Sequence, residues 1–120
     1  MHLAIVPITQ RAVTIISADE QFQGRLALIC RAKTQMDAAR EYDRLRETIQ
    51  FFASVHILPY DATAVAQFEA LRQQGLRIGT QDLRIAAICL SHQATLATRN
   101  LRDFGRIPDL MTVDWSLPDE

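Results

Sequence analysis

The 120 residues predict an α/β domain with a mainly parallel central sheet and helices packed on it. Three observations carry this. Short aliphatic or β-branched runs alternate with longer stretches whose apolar positions recur every three or four residues, the rhythm of buried strands between amphipathic helices. Glycine and proline occur only as isolated punctuation, with no repeat, low-complexity tract or linker. A chain of this length buries one core and not two, so a single domain over 1–120 is expected.

In chain order, Ala12–Ile16 (AVTII) reads as a buried strand running into Ser17. Ser17-Ala-Asp-Glu20 has the S-x-x-E form of a capping box, so a helix is expected from about Ala18, with Phe22, Leu26 and Ile29 on one face. Between Thr34 and Ala53 the positions Met36, Ala39, Tyr42, Leu45, Ile49 and Phe52 form the apolar stripe of a second helix. Val55–Leu58 reads as a second strand closed by Pro59. Asp61 then caps a third helix, Ala62–Gln74, ended by Gly75. A fourth helix opens at Thr80 and runs to about His92. Thr95–Thr98 is a third strand, residues 100–104 a helical turn, and Met111–Val113 a last strand before Trp115.

Composition excludes several classes of function. Thirteen Lys and Arg against fourteen Asp and Glu give a net charge of −1, so no global field draws the chain to DNA or to an anionic membrane. The positive charge is nearly all arginine, the better fork for phosphate. Cys30 and Cys89 both fall in apolar helical patterns, where a reduced thiol acts as a small core residue; this points to a cytoplasmic protein without a structural disulfide. His2, His56 and His92 have no zinc-ligand spacing. No signal peptide or membrane span is expected from MHLAIVPITQR or elsewhere.

Three acids share one local address. Glu20 follows the first strand, Asp82 lies in the first turn of the fourth helix, and Asp103 lies in the turn after the third strand. In an open parallel sheet, ligands gather at this carboxyl edge. Carboxylates meeting there suit a hard divalent cation that activates water against a phosphodiester. Each acid also has a purely structural explanation: a capping box for Glu20, the helix macrodipole for Asp82, and an Asn100 cap for Asp103. Spacing alone does not choose between the two.

IGTQDLRIAA (78–87), ATLATRNLRDF (94–104) and IPDL (107–110) resemble the C-terminal half of PIN-domain ribonucleases, specifically the VapC-type toxins. TIISADEQFQG (14–24) resembles the same family's strand-to-helix segment, and the resemblance covers 13–115. It implies a PIN-like three-layer fold and a magnesium- or manganese-dependent endoribonuclease. It also implies homodimers, and a cognate antitoxin whose C-terminal segment occupies the active-site groove. Glu20, Asp82 and Asp103 match the metal-site acids, and Asn100 a position that is Asp or Asn. Thr98 and Thr80 would be supporting hydroxyls.

The chain also departs from the pattern. Family members begin with a central strand ending in Asp, followed by helices; here MHLAIVPITQR stands in that place, with no acid before Asp19. The chain is therefore read as an N-terminally shortened PIN domain with weak or no nuclease activity. Leu3–Ile8 is a candidate for the empty slot, against which Pro7 counts because it lacks a ladder donor; direct pairing of the two edges or a partner's strand are the other solutions. The competing function is a catalytically dead module that binds an antitoxin or RNA. Arg77, Arg84, Arg99, Arg102 and Arg106 cluster around the acids in sequence and are candidate phosphate contacts, Arg99 and Arg102 foremost, the alternative being solvated surface or pairing with nearby acids. Phe51, Phe52, Phe68, Phe104 and Trp115 are expected in the core or a dimer face, with Phe104 anchoring the turn that bears Asp103.

Overall fold

The computed structural model describes residues 3–5, 11–98 and 100–114. Strands β1 (Leu3–Ile5), β2 (Arg11–Thr14), β3 (His56–Leu58), β4 (Thr95–Thr98) and β5 (Thr112–Asp114) form a sheet in the order β3-β2-β1-β4-β5. β2 is parallel to β3 and β4 is parallel to β5, whereas β1 is antiparallel to both of its neighbours, β2 and β4. Four of the five strands therefore point the same way, and the odd one occupies the centre. The slot is filled from within the chain by Leu3–Ile5, which stops before Pro7; Pro7 lies outside the described residues.

α1 (Ile15–Cys30) begins three residues earlier than the capping-box pattern predicts. Thr14, not Ser17, is its cap: extended at φ −83°, ψ 154°, it accepts the Ser17 N–H on Oγ1 at 3.0 Å and donates its hydroxyl to Ser17 Oγ at 3.1 Å. Ser17 is thus a partner of the cap, and Glu20 lies past the first turn with no capping role. Ile15 and Ile16, read as strand for their β-branching, are helical because the cap outweighs propensity.

α2 (Gln35–Ala53) is capped by Thr34, whose Oγ1 accepts the Asp37 N–H at 3.0 Å. Its stripe has the expected period but not the expected burial. Phe52 is buried against Phe22 and Phe51, with ring centroids 5.5 and 5.2 Å away, while Met36, Tyr42 and Ile49 stay exposed. Leu26 and Cys30 on α1 are exposed as well, so Cys30 is not the core thiol its surroundings suggested. Arg25 and Glu41 tie α1 to α2 across 3.8 Å.

α3 (Ala62–Gln73) starts where Asp61 Oδ1 accepts the Ala64 N–H and ends before Gly75, whose φ of +70° is a conformation glycine adopts without a Cβ clash. α4 (Thr80–His92) matches its expected span. Its cap is Gly79, which offers no side-chain bond; burial sustains the helix instead, with Ile85 through Cys89 fully enclosed. α5 (Leu101–Phe104) is the short turn after β4.

Residue alternation along β2 divides the core. Ala12 faces a large cluster with Leu58, Phe68, Ile85, Ile88, Leu96 and Phe104, whereas Val13 faces a small one with Ala18 and Phe52. Helices therefore cover both faces, the three-layer arrangement expected. Among the described residues no helix is long and apolar enough to cross a membrane.

Candidate active site

The carboxyl ends of β2, β3, β4 and β5 lie along one edge of the sheet, as the register fixes. Two buried hydroxyls mark it, Thr14 at the end of β2 and Thr98 at the end of β4. Thr98 Oγ1 accepts the Asn100 N–H at 2.9 Å, which turns the chain into α5. Asn100 then grips Asp103 twice: Oδ1 accepts the Asp103 N–H at 3.3 Å, and Nδ2 donates to Asp103 Oδ2 at 3.1 Å. The second carboxylate oxygen is 3.7 Å from Arg106 Nη1. Fully buried Phe104 anchors this turn, as the sequence indicated.

Gly105 closes it for a steric reason. A Cβ there would lie 2.5 Å from the Leu101 carbonyl oxygen, closer than any side chain tolerates. Asp82 sits in the first turn of α4, half-buried, where its charge complements the helix dipole. α4 packs against β2 and β4, and because its last turn leads into the start of β4, its first turn, which carries Asp82, lies toward the edge of Thr14 and Thr98. Glu20 is exposed on α1, beyond the end of β2.

Asp114 is a further acid at this address, one that the sequence reading passed over. It ends β5 and pairs in register with Thr98. The signal was present, since an acid at the carboxyl end of a strand is the criterion that singled out the others, but the last strand was placed one residue too early. Of the arginines, Arg106 is committed to Asp103, Arg102 is exposed on α5, and Arg99 lies outside the described residues.

The donor chemistry suits a hard cation, but the convergence does not. Among the described residues no three His, Cys, Asp or Glu side chains come together closely enough to hold a metal ion. As arranged, the acids mark an edge without closing around a point, so the residues present do not fit a resident divalent ion. A cavity of about 560 Å³ lies at the other edge, where Gln93, Ala94 and Met111 precede β4 and β5; amides and apolar side chains dominate its wall.

No protein-family model matches the chain. Among curated proteins, Ribonuclease VapC2 of Rickettsia felis is 36% identical over 69 residues, 54% of this chain and 52% of that protein. Ribonuclease VapC1 of Haemophilus influenzae is 48% identical over 46 residues, 38% of this chain and 34% of that protein. The chain thus spans from about a third to just over half of the length of these first relatives. Ribonuclease VapC2 of Haemophilus influenzae matches far more widely, 30% identical over 123 residues, 95% of this chain and 93% of that protein. Among solved structures, VapBC-1 from nontypeable Haemophilus influenzae superposes with a TM-score of 0.72 at 25% identity, covering 94% of this chain and 80% of that one. VapBC2 from Rickettsia felis bound to a promoter DNA fragment gives 0.64 at 28% identity, covering 88% and 74%. An α/β PIN-like fold, acids along the carboxyl edge of its sheet and a relative matched nearly end to end agree on one assignment: this chain belongs to the VapC ribonuclease family.

Proposed function

We propose that the chain is an endoribonuclease of the VapC type, acting on RNA in the cytoplasm under the control of a cognate antitoxin, and that residues 1–120 alone hydrolyse RNA weakly or not at all. The active site assigned to it is Glu20, Asp82 and Asp103, with Asn100 positioning Asp103. These three acids do not by themselves close around an ion; oxygen donors of this kind select magnesium or manganese once a further acid completes the set. The observation that carries the reading is the shared address of the acids at one sheet edge, in a chain matched over nearly its whole length by a ribonuclease. The weak activity follows from the absence, among the described residues, of any three acids close enough to share an ion.

The test is cleavage of a fluorogenic RNA oligonucleotide in millimolar manganese. Two proteins are compared: the unaltered chain, and a chimera whose residues 1–10 are replaced by a segment carrying a parallel central strand that ends in Asp. The chimera is expected to cleave, with activity lost on Asp82→Asn, and the unaltered chain to stay near background. A folded but inactive chimera refutes the nuclease assignment. Robust cleavage by the unaltered chain, abolished by Asp82→Asn, refutes the weak-activity part.

A second reading, a binding module without chemistry, draws on the open apolar side chains of the α1–α2 pair, where Leu26, Met36, Tyr42 and Ile49 are all at least half exposed. An antitoxin or a second copy of the chain would cover them. Stoichiometric antitoxin binding with no cleavage by the chimera favours this reading, and light scattering distinguishes a homodimer from a monomer.

A further inference from the structure

We infer that the cleft between α3 and α4 beside Tyr60 and Arg84 is a nucleotide subsite, gripping one base-and-phosphate unit of the RNA to the side of the acidic edge. The inference rests on the proposed action on RNA and adds to it a place where the strand is held.

The cleft has a volume of about 460 Å³ and is lined by Tyr60, Phe68, Glu69, Arg72, Thr80 and Arg84, among others. That volume lies within the roughly 300–1,000 Å³ of small-molecule sites. Its position follows from the topology. Tyr60 comes two residues after the end of β3, and Thr80 opens α4 two residues before Asp82, so both walls start at the edge that carries the acids. β3 and β4 are three strand spacings apart, which sets the cleft about 14 Å along that edge from the Asn100–Asp103 turn.

The chemistry of the walls selects the ligand. Arg84 Cζ lies 5.9 Å from the centroid of the Tyr60 ring, and Arg84 Nη1 donates to Gln81 Oε1. Tyr60 is itself fixed edge-on against Phe68, with centroids 6.4 Å apart and planes at 88°. The guanidinium is thus held by a ring on one side and an amide at its rim, so little rotamer freedom remains to be lost on binding. A planar cation presented in this way stacks on a base and offers its remaining N–H groups to phosphate. Arg25, Arg40, Arg46 and Arg106 each have a carboxylate partner; Arg72 and Arg84, like Arg31, Arg44, Arg77 and Arg102, take part in no ion pair among the described residues, so the cleft's cations are not neutralised locally. With Glu69 as the only acid among the described residues of the wall, against Arg72 and Arg84, the cleft is net positive in a chain of net charge −1. An acidic peptide would use that charge but not the stacked plane; a nucleotide uses both.

The test is fluorescence anisotropy of a labelled single-stranded RNA oligonucleotide, in chelator to prevent cleavage, titrated with the full chain. Arg84→Lys, which keeps the charge and removes the plane, should weaken binding by about tenfold, the loss of roughly one stacking contact. Arg72→Gln, on the exposed side of α3, should lower the salt slope of the affinity by about one. Arg46→Gln on α2 should change nothing, and thermal melts confirm that each variant is folded. Should Arg84→Lys unfold, Arg72→Gln and Tyr60→Leu carry the test. If the wild-type chain binds RNA in a salt-dependent way and the cleft variants bind equally well, the subsite is refuted and the action on RNA stands. If the wild-type chain does not bind RNA, both fall together. If a polyglutamate peptide of equal charge displaces the RNA at equal concentration, the cleft is a site for acidic polypeptide and not for a nucleotide.

Discussion

Replacing Thr14 by valine removes one oxygen and almost no volume, and it isolates what sets the start of α1. Thr14 is fully buried, and its Oγ1 both accepts the Ser17 N–H at 3.0 Å and donates to Ser17 Oγ at 3.1 Å. In the variant a methyl faces that N–H. Losing a side-chain N-cap costs about 1–2 kcal/mol, and a buried donor left without its acceptor costs about 1–3 kcal/mol. The two describe the same lost bond from two sides, so they are not summed, and about 2 kcal/mol is expected. At roughly 2.1 cal/mol/K of unfolding entropy per residue, 120 residues give about 0.25 kcal/mol/K, so the melting temperature should fall by about 8 °C. Thr14→Ser keeps the hydroxyl and loses only a methyl, worth about 1 kcal/mol or less, and should fall by half as much. Circular dichroism melts and urea midpoints at neutral pH compare the three proteins. A Thr14→Val protein that melts within about 2 °C of the wild type, or above Thr14→Ser, refutes the claim that this hydroxyl positions α1 and Glu20 on it.

Four further outcomes follow from the same structure. Burial pushes the Cys89 thiol from 9.0 up to about 12, so the folded state keeps a proton that the unfolded state releases above pH 9. Stability should be flat below pH 9 and then fall by up to about 1.4 kcal/mol per pH unit toward 12, with Cys89→Ala flattening the alkaline arm of a urea titration. A thiol reagent should meanwhile label exposed Cys30 alone until the protein unfolds. Gly105→Ala should cost about 1–3 kcal/mol, because the new methyl meets the Leu101 carbonyl and the Asn100–Asp103 turn must shift; an unchanged melt would refute the close approach. Ala4→Pro should cost at least about 2 kcal/mol, since Ala4 pairs with Ala12 on one side and Leu96 on the other, and a central position cannot spare its ladder donor; wild-type stability in that variant would show β1 to be dispensable.

What could be read in advance divides along a physical line. α4 was legible to the residue because a continuous apolar run of helical length has no alternative fate in a small α/β core. The Asn100 cap on Asp103 was legible because its donor and acceptor are three residues apart and need nothing distant. The start of α1 was misread because Ile15 and Ile16 favour strand locally, and only the buried Thr14–Ser17 pair reveals the turn. The stripe of α2 was read with the right period, but a period says which side chains share a face and not what covers them. Cys30 was misplaced for the same reason. Asp114 was missed by one residue of strand register, which in a β-strand decides where the side chain points.

The direction of β1 was beyond any local pattern, and it governs the candidate site. A strand delivers the residue that follows it to the edge where it ends. β2, β3, β4 and β5 end at one edge, which is why Thr14, Thr98 and Asp114 stand there and why α4 and α5 bring Asp82 and Asp103 beside them. β1 runs the other way: Ile5 is level with Arg11 and Thr95, at the far edge, and Leu3 is level with Val13 and Ala97, one residue short of Thr14 and Thr98. The centre of the acidic edge therefore meets the beginning of a strand, and the end of β1, at Ile5, lies at the opposite edge. The surrounding acids come from flanking elements on either side of that centre, consistent with the absence of any three close enough to share an ion among the described residues. Hydrogen bonding does not distinguish the two directions strongly, since an antiparallel strand satisfies both neighbours at least as well as a parallel one. The sheet can thus be completed, and the fold retained, by a strand whose end lies away from the acidic edge. Completing the sheet and delivering a residue to the acidic edge are separate demands on the same slot, and the described strand meets the first.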